Sequence, residues 1–298
     1  MPLLRPFFMF LCFCIPFLDK TLAQDGSPEA NLSNHPANDR YASYSPDGRW
    51  IAFESDRNGK WDVFLMDGQG GQLTQLTSHP AGGRRPSWHP DSRKVLFEST
   101  RDGLTALYEA HTDGSALRQV MSLDKEADGG LFARYSPDAT RIAYSLQEGE
   151  ANFNLYLFTL ADSTTKALFR DEYRNVYPQW HPTGKEILFF SRHETGNEDD
   201  EIYRMNLKTH RLKRLTLWPR HNFCPAWSPN GRLIAYVTSM EDTRPEIYIM
   251  KSNGKKQQRI TFNEDGDTLP HWHPDGSKLL ITGYRGDNFE ICEIGLFR

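Results

Sequence analysis

Hydrophobic and polar positions along the chain follow one pattern that recurs six times. In each copy an aromatic residue precedes a Pro-containing polar segment, and a strongly apolar run follows it. Because these runs are apolar at successive positions, they predict strands that are covered on both faces. The six copies read YSPDGRWIAF (44–53), WHPDSRKVLF (88–97), YSPDATRIAY (135–144), WHPTGKEILF (180–189), WSPNGRLIAY (227–236) and WHPDGSKLLI (272–281).

The spacing of the copies indicates the architecture. Their prolines stand at 46, 90, 137, 182, 229 and 274, so the spacings are 44, 47, 45, 47 and 45 residues. A period in the mid-forties is typical of a propeller blade, a four-stranded antiparallel unit stacked between two neighbours. We therefore expect an all-β fold, a six-bladed β-propeller over residues 30–298. Within each blade, the Pro segment fits a type I turn that joins strand A to strand B.

The last blade lacks a strand D at the C-terminus, because only Gly-Leu-Phe-Arg follows the strand C segment EICEI (290–294). The N-terminal segment LSNHPANDRYASYSPD (32–47) aligns without a gap on LTSHPAGGRRPSWHPD (76–91). Leu32 thereby takes the place of an apolar residue at the end of strand D. We predict that Ala30–Ser33 closes the ring, which removes an exposed sheet edge.

A second repeat spans two blades. Strand B carries Ala52, Ala143 and Ala235 in the odd copies, whereas it carries Leu96, Leu188 and Leu280 in the even ones. Small residues alternating with large ones would let unequal blades fill one core without voids. We therefore predict that all six positions are buried.

The first 23 residues have the order of a secretory signal peptide, with cleavage expected near Ala23 or Gln24. Arg5 precedes an apolar run from Phe7 to Leu18, which is shorter than the about 20 residues of a membrane span. An uncleaved anchor is the alternative. We expect a periplasmic or secreted protein, with residues 24–29 as a short leader and no membrane span in the mature chain.

Composition narrows the function classes. Removal of Arg5, Asp19 and Lys20 takes the net charge from −4 to −5. This balance gives no support for nucleic-acid binding, which usually shows a basic footprint. An exported chain could join Cys224 to Cys292, but two buried free cysteines are favoured.

Tandem W-S-P-D-G-x-x-I-A-F units followed by I-Y-x-M and R-L-T resemble the propeller repeats of the TolB-like family over about residues 30–298. The resemblance implies an exported, non-catalytic propeller that binds a protein or peptide partner, an envelope lipoprotein being one candidate. TolB proteins carry an additional N-terminal α/β domain, for which residues 24–30 leave no room, and this puts any role of that domain in doubt. We expect a monomer without a cofactor.

Polar residues recur seven positions before the prolines, in the D-to-A loops at one mouth of the channel. Four of the six are Asp or Asn, and basic residues lie beside them. The mixture suits an acidic peptide, a carboxylate or a sugar acid. The compatible alternative is that Asp and Asn satisfy their own loop backbone. The predicted site comprises Asp39, Asn175, Asn222, Asp267, Arg40, Arg84, Arg85 and His221.

His89, His181 and His273 precede alternate prolines. Three histidines around a channel could bind zinc. Each, however, occupies the first position of the A–B turn, where the other copies carry Ser. Bonding to the turn backbone is the favoured interpretation, and no metal site is predicted.

No G-x-S-x-G nucleophile motif is present, and no catalytic residue is predicted. The acidic run at 198–201 is expected to be a solvated loop. The leading hypothesis is a partner-binding propeller with a cell-envelope role. The alternatives are a carbohydrate-active enzyme of the propeller uronate-lyase type and a small-ligand sensor.

Overall fold

The computed structural model describes residues 29–123, 130–149, 152–195, 199–217, 221–239 and 244–296. The predicted signal peptide and residues 24–28 of the leader lie outside them. The described residues form six four-stranded antiparallel sheets without any helix. The six-bladed propeller is therefore confirmed. Searched over these same residues, the chain offers no helix with the length and apolarity to span a bilayer.

Each blade uses four strands, labelled A to D from the axis outward. Blade 1 contains β2 (Asp39–Tyr44), β3 (Trp50–Ser55), β4 (Asp62–Asp67) and β5 (Thr74–Gln75); blade 2 contains β6 (Arg84–Trp88), β7 (Lys94–Ser99), β8 (Ala106–His111) and β9 (Arg118–Ser122); blade 3 contains β10 (Arg134–Tyr135), β11 (Arg141–Gln147), β12 (Phe153–Thr159) and β13 (Thr164–Phe169).

The second half of the ring repeats this order. Blade 4 contains β14 (Asn175–Trp180), β15 (Glu186–Ser191), β16 (Glu201–Asn206) and β17 (Leu212–Arg214); blade 5 contains β18 (Asn222–Trp227), β19 (Leu233–Thr238), β20 (Glu246–Lys251) and β21 (Gln258–Arg259); blade 6 contains β22 (Asp267–Trp272), β23 (Lys278–Arg285), β24 (Asn288–Gly295) and, as its strand D, β1 (Glu29–Asn31).

The N-terminal segment closes the ring as predicted. Strand β1 pairs antiparallel with β24, with Ala30 opposite Glu293, and the N–H of Leu32 donates to the carbonyl of Ile291 at 2.8 Å. The Leu32 side chain packs against the apolar cluster between blades 6 and 1. No blade among the described residues therefore lacks its fourth strand.

A hydroxyl group after the closing strand reproduces one buried hydrogen-bond pattern in blades 1, 4, 5 and 6. In blade 1, Thr77 Oγ1 accepts from the N–H of Val63 and donates to the Asp62 carboxylate, both at 2.9 Å. In blade 6, Ser33 Oγ accepts from the N–H of Ile291 at 2.9 Å and donates to Glu290 at 2.5 Å. The segment from the N-terminus is thus a strand D in its chemistry as well as its position. The same pattern joins Thr216 to Ile202 and Glu201, and Thr261 to Ile247 and Glu246.

Each blade has a residue other than Gly in the left-handed backbone region five positions before its proline; it lies within strand A in five blades and two residues before strand A in blade 3. Such a φ is uncommon for residues other than Gly. In five blades the A–B ladder shifts register there, which marks a β-bulge. The six residues, with φ between 48° and 63°, are Tyr41, Arg85, Phe132, Tyr177, Cys224 and Leu269.

The bulge directs these six side chains, here called the axial cluster, toward the ring axis. The rings of Tyr41 in blade 1 and Phe132 in blade 3 lie 6.0 Å apart, although blade 2 stands between their blades. The Phe132 and Tyr177 rings are 5.5 Å apart, and the Arg85 guanidinium lies 5.0 Å from the Phe132 ring centroid. The axial cluster therefore lies across the middle of the channel. It separates the mouth at the D-to-A loops from a funnel at the A–B turns.

The predicted core positions are buried. All three alanines and all three leucines of the two-blade repeat have 0% exposure. Cys224 and Cys292 are also buried, and both are free thiols. The prediction of buried free cysteines is therefore confirmed.

Candidate functional site

The acidic residues of the predicted mouth are buried at the first position of strand A. Asp39 accepts hydrogen bonds from the Arg57 guanidinium at 3.0 and 3.1 Å, and Asp267 accepts one from Arg285 at 2.8 Å. Burial raises the pKa of both carboxyl groups, and the paired guanidinium opposes that shift. Each aspartate thus forms a buried ion pair within its own blade.

The two amides of the mouth are likewise buried, and both are hydrogen-bonded to other side chains, Asn222 across to blade 4. Asn175 Nδ2 donates to Asp171 at 2.6 Å, and Asn175 Oδ1 accepts from Ser191 at 2.6 Å. Asn222 Nδ2 donates to Glu201 at 3.1 Å. These side-chain contacts differ from the bonding to the residue's own loop backbone that the sequence left open, and contact with a ligand stays a prediction for all four residues.

The prediction of a solvated acidic loop at 198–201 is wrong for its last two residues, while Glu198 lies outside the described residues. Asp200 is 5% exposed and Glu201 is fully buried. Glu201 accepts from Arg214 at 2.7 Å and from Asn222. Burial raises its pKa, although these donors oppose the shift. The acidic sequence alone did not indicate that Arg214 and Asn222, which lie on other strands, would pair with Glu201.

The structure brings three of the four predicted basic residues together. Arg40 and Arg84 both point to Oε1 of the buried Glu54, at 2.9 and 3.8 Å. Arg85 donates from its side chain to Glu98 at 3.0 Å and from its backbone to Glu54 at 2.8 Å. Since Arg40 and Arg84 share one carboxylate, this part of the mouth carries excess positive charge.

Trp61 is the residue of this site that the sequence analysis missed. Its ring lies 4.1 Å from the Arg40 guanidinium and 5.4 Å from that of Arg84, within cation–π distance. A cleft of about 450 Å³ between blades 1 and 2, here called the arginine cleft, is lined by Trp61, Lys60, Arg84 and Arg85. The available signal was position: Trp61 immediately precedes a strand C, so its B–C loop lies at the same end of the blade as the D-to-A loops.

His221 lies apart from the arginine cleft. Its Nδ1 is 3.4 Å from the Asp200 carboxylate, and the Arg174 guanidinium is 3.6 Å from the same group. The predicted basic residues therefore form two separate groups. One lies on blades 1 and 2, and the other lies on blades 4 and 5.

The three histidines at the A–B turns bond the turn backbone, as predicted. Nδ1 of His89 accepts from the N–H of Asp91 at 3.2 Å, and His181 and His273 do the same at 3.2 and 3.3 Å. Each ring also meets an aromatic ring of the next blade edge-on, with centroids 4.7 or 4.8 Å apart. Over the described stretches no three His, Cys, Asp or Glu residues form a group that could hold a metal.

Comparison with known proteins identifies other β-propellers that resemble this chain. Residues 194–296 match the family model of the TolB beta propeller domain. The Tol-Pal system protein TolB of Alcanivorax borkumensis is 30% identical over 96 residues, which are 32% of this chain and 22% of that protein. The chain spans about half or less of the length of the curated relatives it matches, between 18% and 51%.

Solved structures show the same fold. TolB from Acinetobacter baumannii superposes with a TM-score of 0.69 at 18% identity, covering 87% of this chain and 63% of its own. An oligogalacturonate lyase from Vibrio parahaemolyticus superposes with a TM-score of 0.63 at 14% identity, covering 92% and 95%. At these identities the likeness concerns the fold alone.

Proposed function

We propose that this six-bladed β-propeller is a TolB-like, exported, non-catalytic binding protein with a cell-envelope role. Its mouth engages an acidic segment of a protein or peptide partner. The match to the TolB propeller domain and the Tol-Pal relative support the partner class. The basic character of the arginine cleft supports the charge of the segment.

One observation carries the proposal: two guanidinium groups share the single buried carboxylate of Glu54. The side chains of Arg40 and Arg84 remain 26% and 39% exposed above it. A carboxylate from a partner would supply the second counter-ion, and guanidinium groups bind carboxylates with charge-assisted, often paired hydrogen bonds. Trp61 holds both guanidinium groups at the surface, where such a partner can reach them.

Export predicts that the mature protein starts near Ala23 or Gln24. When the full chain is expressed in a bacterial host, intact-mass measurement of the protein in the periplasmic or extracellular fraction should show loss of the first 23 or 24 residues. A full-length protein that remains in the membrane fraction would instead support the uncleaved anchor.

Arg84→Ala should weaken binding of an acidic peptide by roughly tenfold or more, since it removes an exposed charge at the centre of the cleft. The measurement is calorimetric titration of the mature protein with an octapeptide of alternating Asp and Glu. A peptide of alternating Asn and Gln controls for charge.

Arg49→Ala is the matched protein control, because Arg49 is 77% exposed and lies at the opposite end of the ring. Equal affinity of wild type and the Arg84 variant for the acidic peptide would contradict the assignment of the cleft. Turnover of oligogalacturonate by the same protein would contradict its non-catalytic part.

A further inference from the structure

The funnel at the A–B turns lies beyond the axial cluster and is independent of the arginine cleft. It encloses a cavity of about 460 Å³ on the axis. Its walls are the six turn prolines and the aromatic residues that end the inner strands. This volume falls within the range of small-molecule sites, about 300–1,000 Å³.

The innermost side chains of the funnel stand three positions before each proline. Blades 3 and 6, which face each other across the ring, contribute Arg134 and His271. Blades 1 and 4, which also face each other, contribute Ser43 and Gln179. The four side chains thus approach the axis from two pairs of opposite directions.

Two of these groups are hydrogen-bonding atoms without a partner. Ser43 is 6% exposed and lines the cavity, and its Oγ is buried and makes no hydrogen bond to the described residues. Gln179 Nε2 is also buried and makes no hydrogen bond to the described residues. Buried polar groups nearly always have partners, because leaving one unsatisfied lowers the stability of the fold. A ligand with acceptor atoms would satisfy both.

The charge of Arg134 has no ion-pair partner inside the funnel. Among the described residues that line the funnel, Arg134 carries the one guanidinium and none carries a carboxylate. Arg134 donates to the carbonyl of Ala133 at 2.9 Å and lies 5.6 Å from the Tyr177 ring centroid. No ion pair joins it to an acidic group in the described part of the chain.

His271 adds a further donor. Its Nδ1 accepts from the N–H of Tyr44 at 3.4 Å. Burial, and then the neighbouring Arg134, lower the pKa of His271 to about 4. At neutral pH the ring is therefore uncharged, and because Nδ1 is an acceptor, the proton resides on Nε2.

We infer that the funnel is a binding site for the carboxylate of a ligand, with Arg134 as counter-ion and with Gln179 Nε2 and Ser43 Oγ as hydrogen-bond donors. The rest of the ligand packs against the prolines and aromatic residues of the wall. A small organic acid and the C-terminus of a peptide both present such a carboxylate, and the chemistry of recognition is the same for the two.

The rim of the funnel restricts this ligand further. Four A–B turns carry an aspartate that accepts a hydrogen bond from the backbone N–H two residues later. The turn keeps these carboxylates ionised at the entrance, where they repel a chain of many negative charges. A ligand with a single carboxylate and an apolar body fits best. The four residues are Asp47, Asp91, Asp138 and Asp275.

The test is calorimetric titration of the mature protein with four probes. Benzoate and galacturonate represent small acids, while Ala-Ala-Phe with a free C-terminus is compared with its C-terminal amide. We expect saturable binding of at least one free carboxylate and none of the amide. The acid that binds best identifies the source of the carboxylate.

Arg134→Met should weaken that binding at least tenfold, because it removes the counter-ion and retains an apolar stem of similar length. Arg49→Met, at the rim of the same end, is the matched control and should bind as wild type does. If Arg134→Met fails to fold, Gln179→Leu removes one donor without removing a charge and should weaken binding several-fold. Absence of saturable binding by wild type up to about 10 mM of every carboxylate, or unchanged binding by the folded variants, overturns the inference.

Discussion

A protein that starts at His35 should melt roughly 10 °C or more below one that starts at Glu29. The deletion removes the ladder between β1 and β24 and the packing of Leu32. It also removes the Ser33 hydroxyl from the Glu290 carboxylate, which is 5% exposed. Each lost hydrogen bond costs about 1 kcal/mol, and one to a buried carboxylate costs more. Complete burial of a Leu side chain contributes about 1.5–3 kcal/mol. Leu32 is partly buried, so the deletion removes part of that contribution.

Thermal unfolding followed by circular dichroism gives the melting temperature of both proteins, and the one that starts at Glu29 is the reference. Removal of residues 24–28 alone should leave the melting temperature unchanged, because the ladder begins at Glu29. If the protein that starts at His35 melts with the one that starts at Glu29, the segment is a linker and the ring is held by other contacts.

Leu188→Ala should lower the free energy of unfolding by about 2–5 kcal/mol, because it leaves a cavity in a close-packed core. Leu188 has 0% exposure and belongs to the largest apolar cluster of the ring. Chemical denaturation, shown first to be reversible, provides the measurement.

Leu217→Ala is the matched control for this substitution, since Leu217 is 75% exposed. Its cost should stay within about 0.5 kcal/mol, as is usual for surface positions. A loss below about 1 kcal/mol for Leu188→Ala would show that the site can collapse around the smaller residue, contrary to close packing between large and small positions.

Register within the repeat explains why so much of the fold was predictable. Once the copies were aligned, Leu32 occupied a strand D position by counting alone, and the hydroxyl of Ser33 proved to do what Thr77 does in blade 1. The axial cluster escaped prediction for a physical reason. Tyr41 and Phe132 adopt a backbone conformation that local preferences disfavour, so only the packed ring can hold them there.

The site was predictable in part. The basic residues of blades 1 and 2 were found because they stand at equivalent loop positions. Their convergence on Glu54 depends on neighbouring blades and could not be read from one segment. Asp39 and Asp267 were predicted in the D-to-A loops and instead begin strand A. Both are buried against Arg57 and Arg285, each 18 residues further along the chain. Distant partners of this kind leave no local pattern.

The pairing of β1 with β24 also determines when the ring can close during synthesis. Among the described strands, β1 is made first and its partner β24 is made last. Contacts between such distant segments form late, because a large loop must close before they add stability. A chain interrupted before residue 288 could form five blades and still expose an open edge, a form prone to aggregation and proteolysis. Closure at the seam thus makes synthesis of β24 a condition for a stable ring.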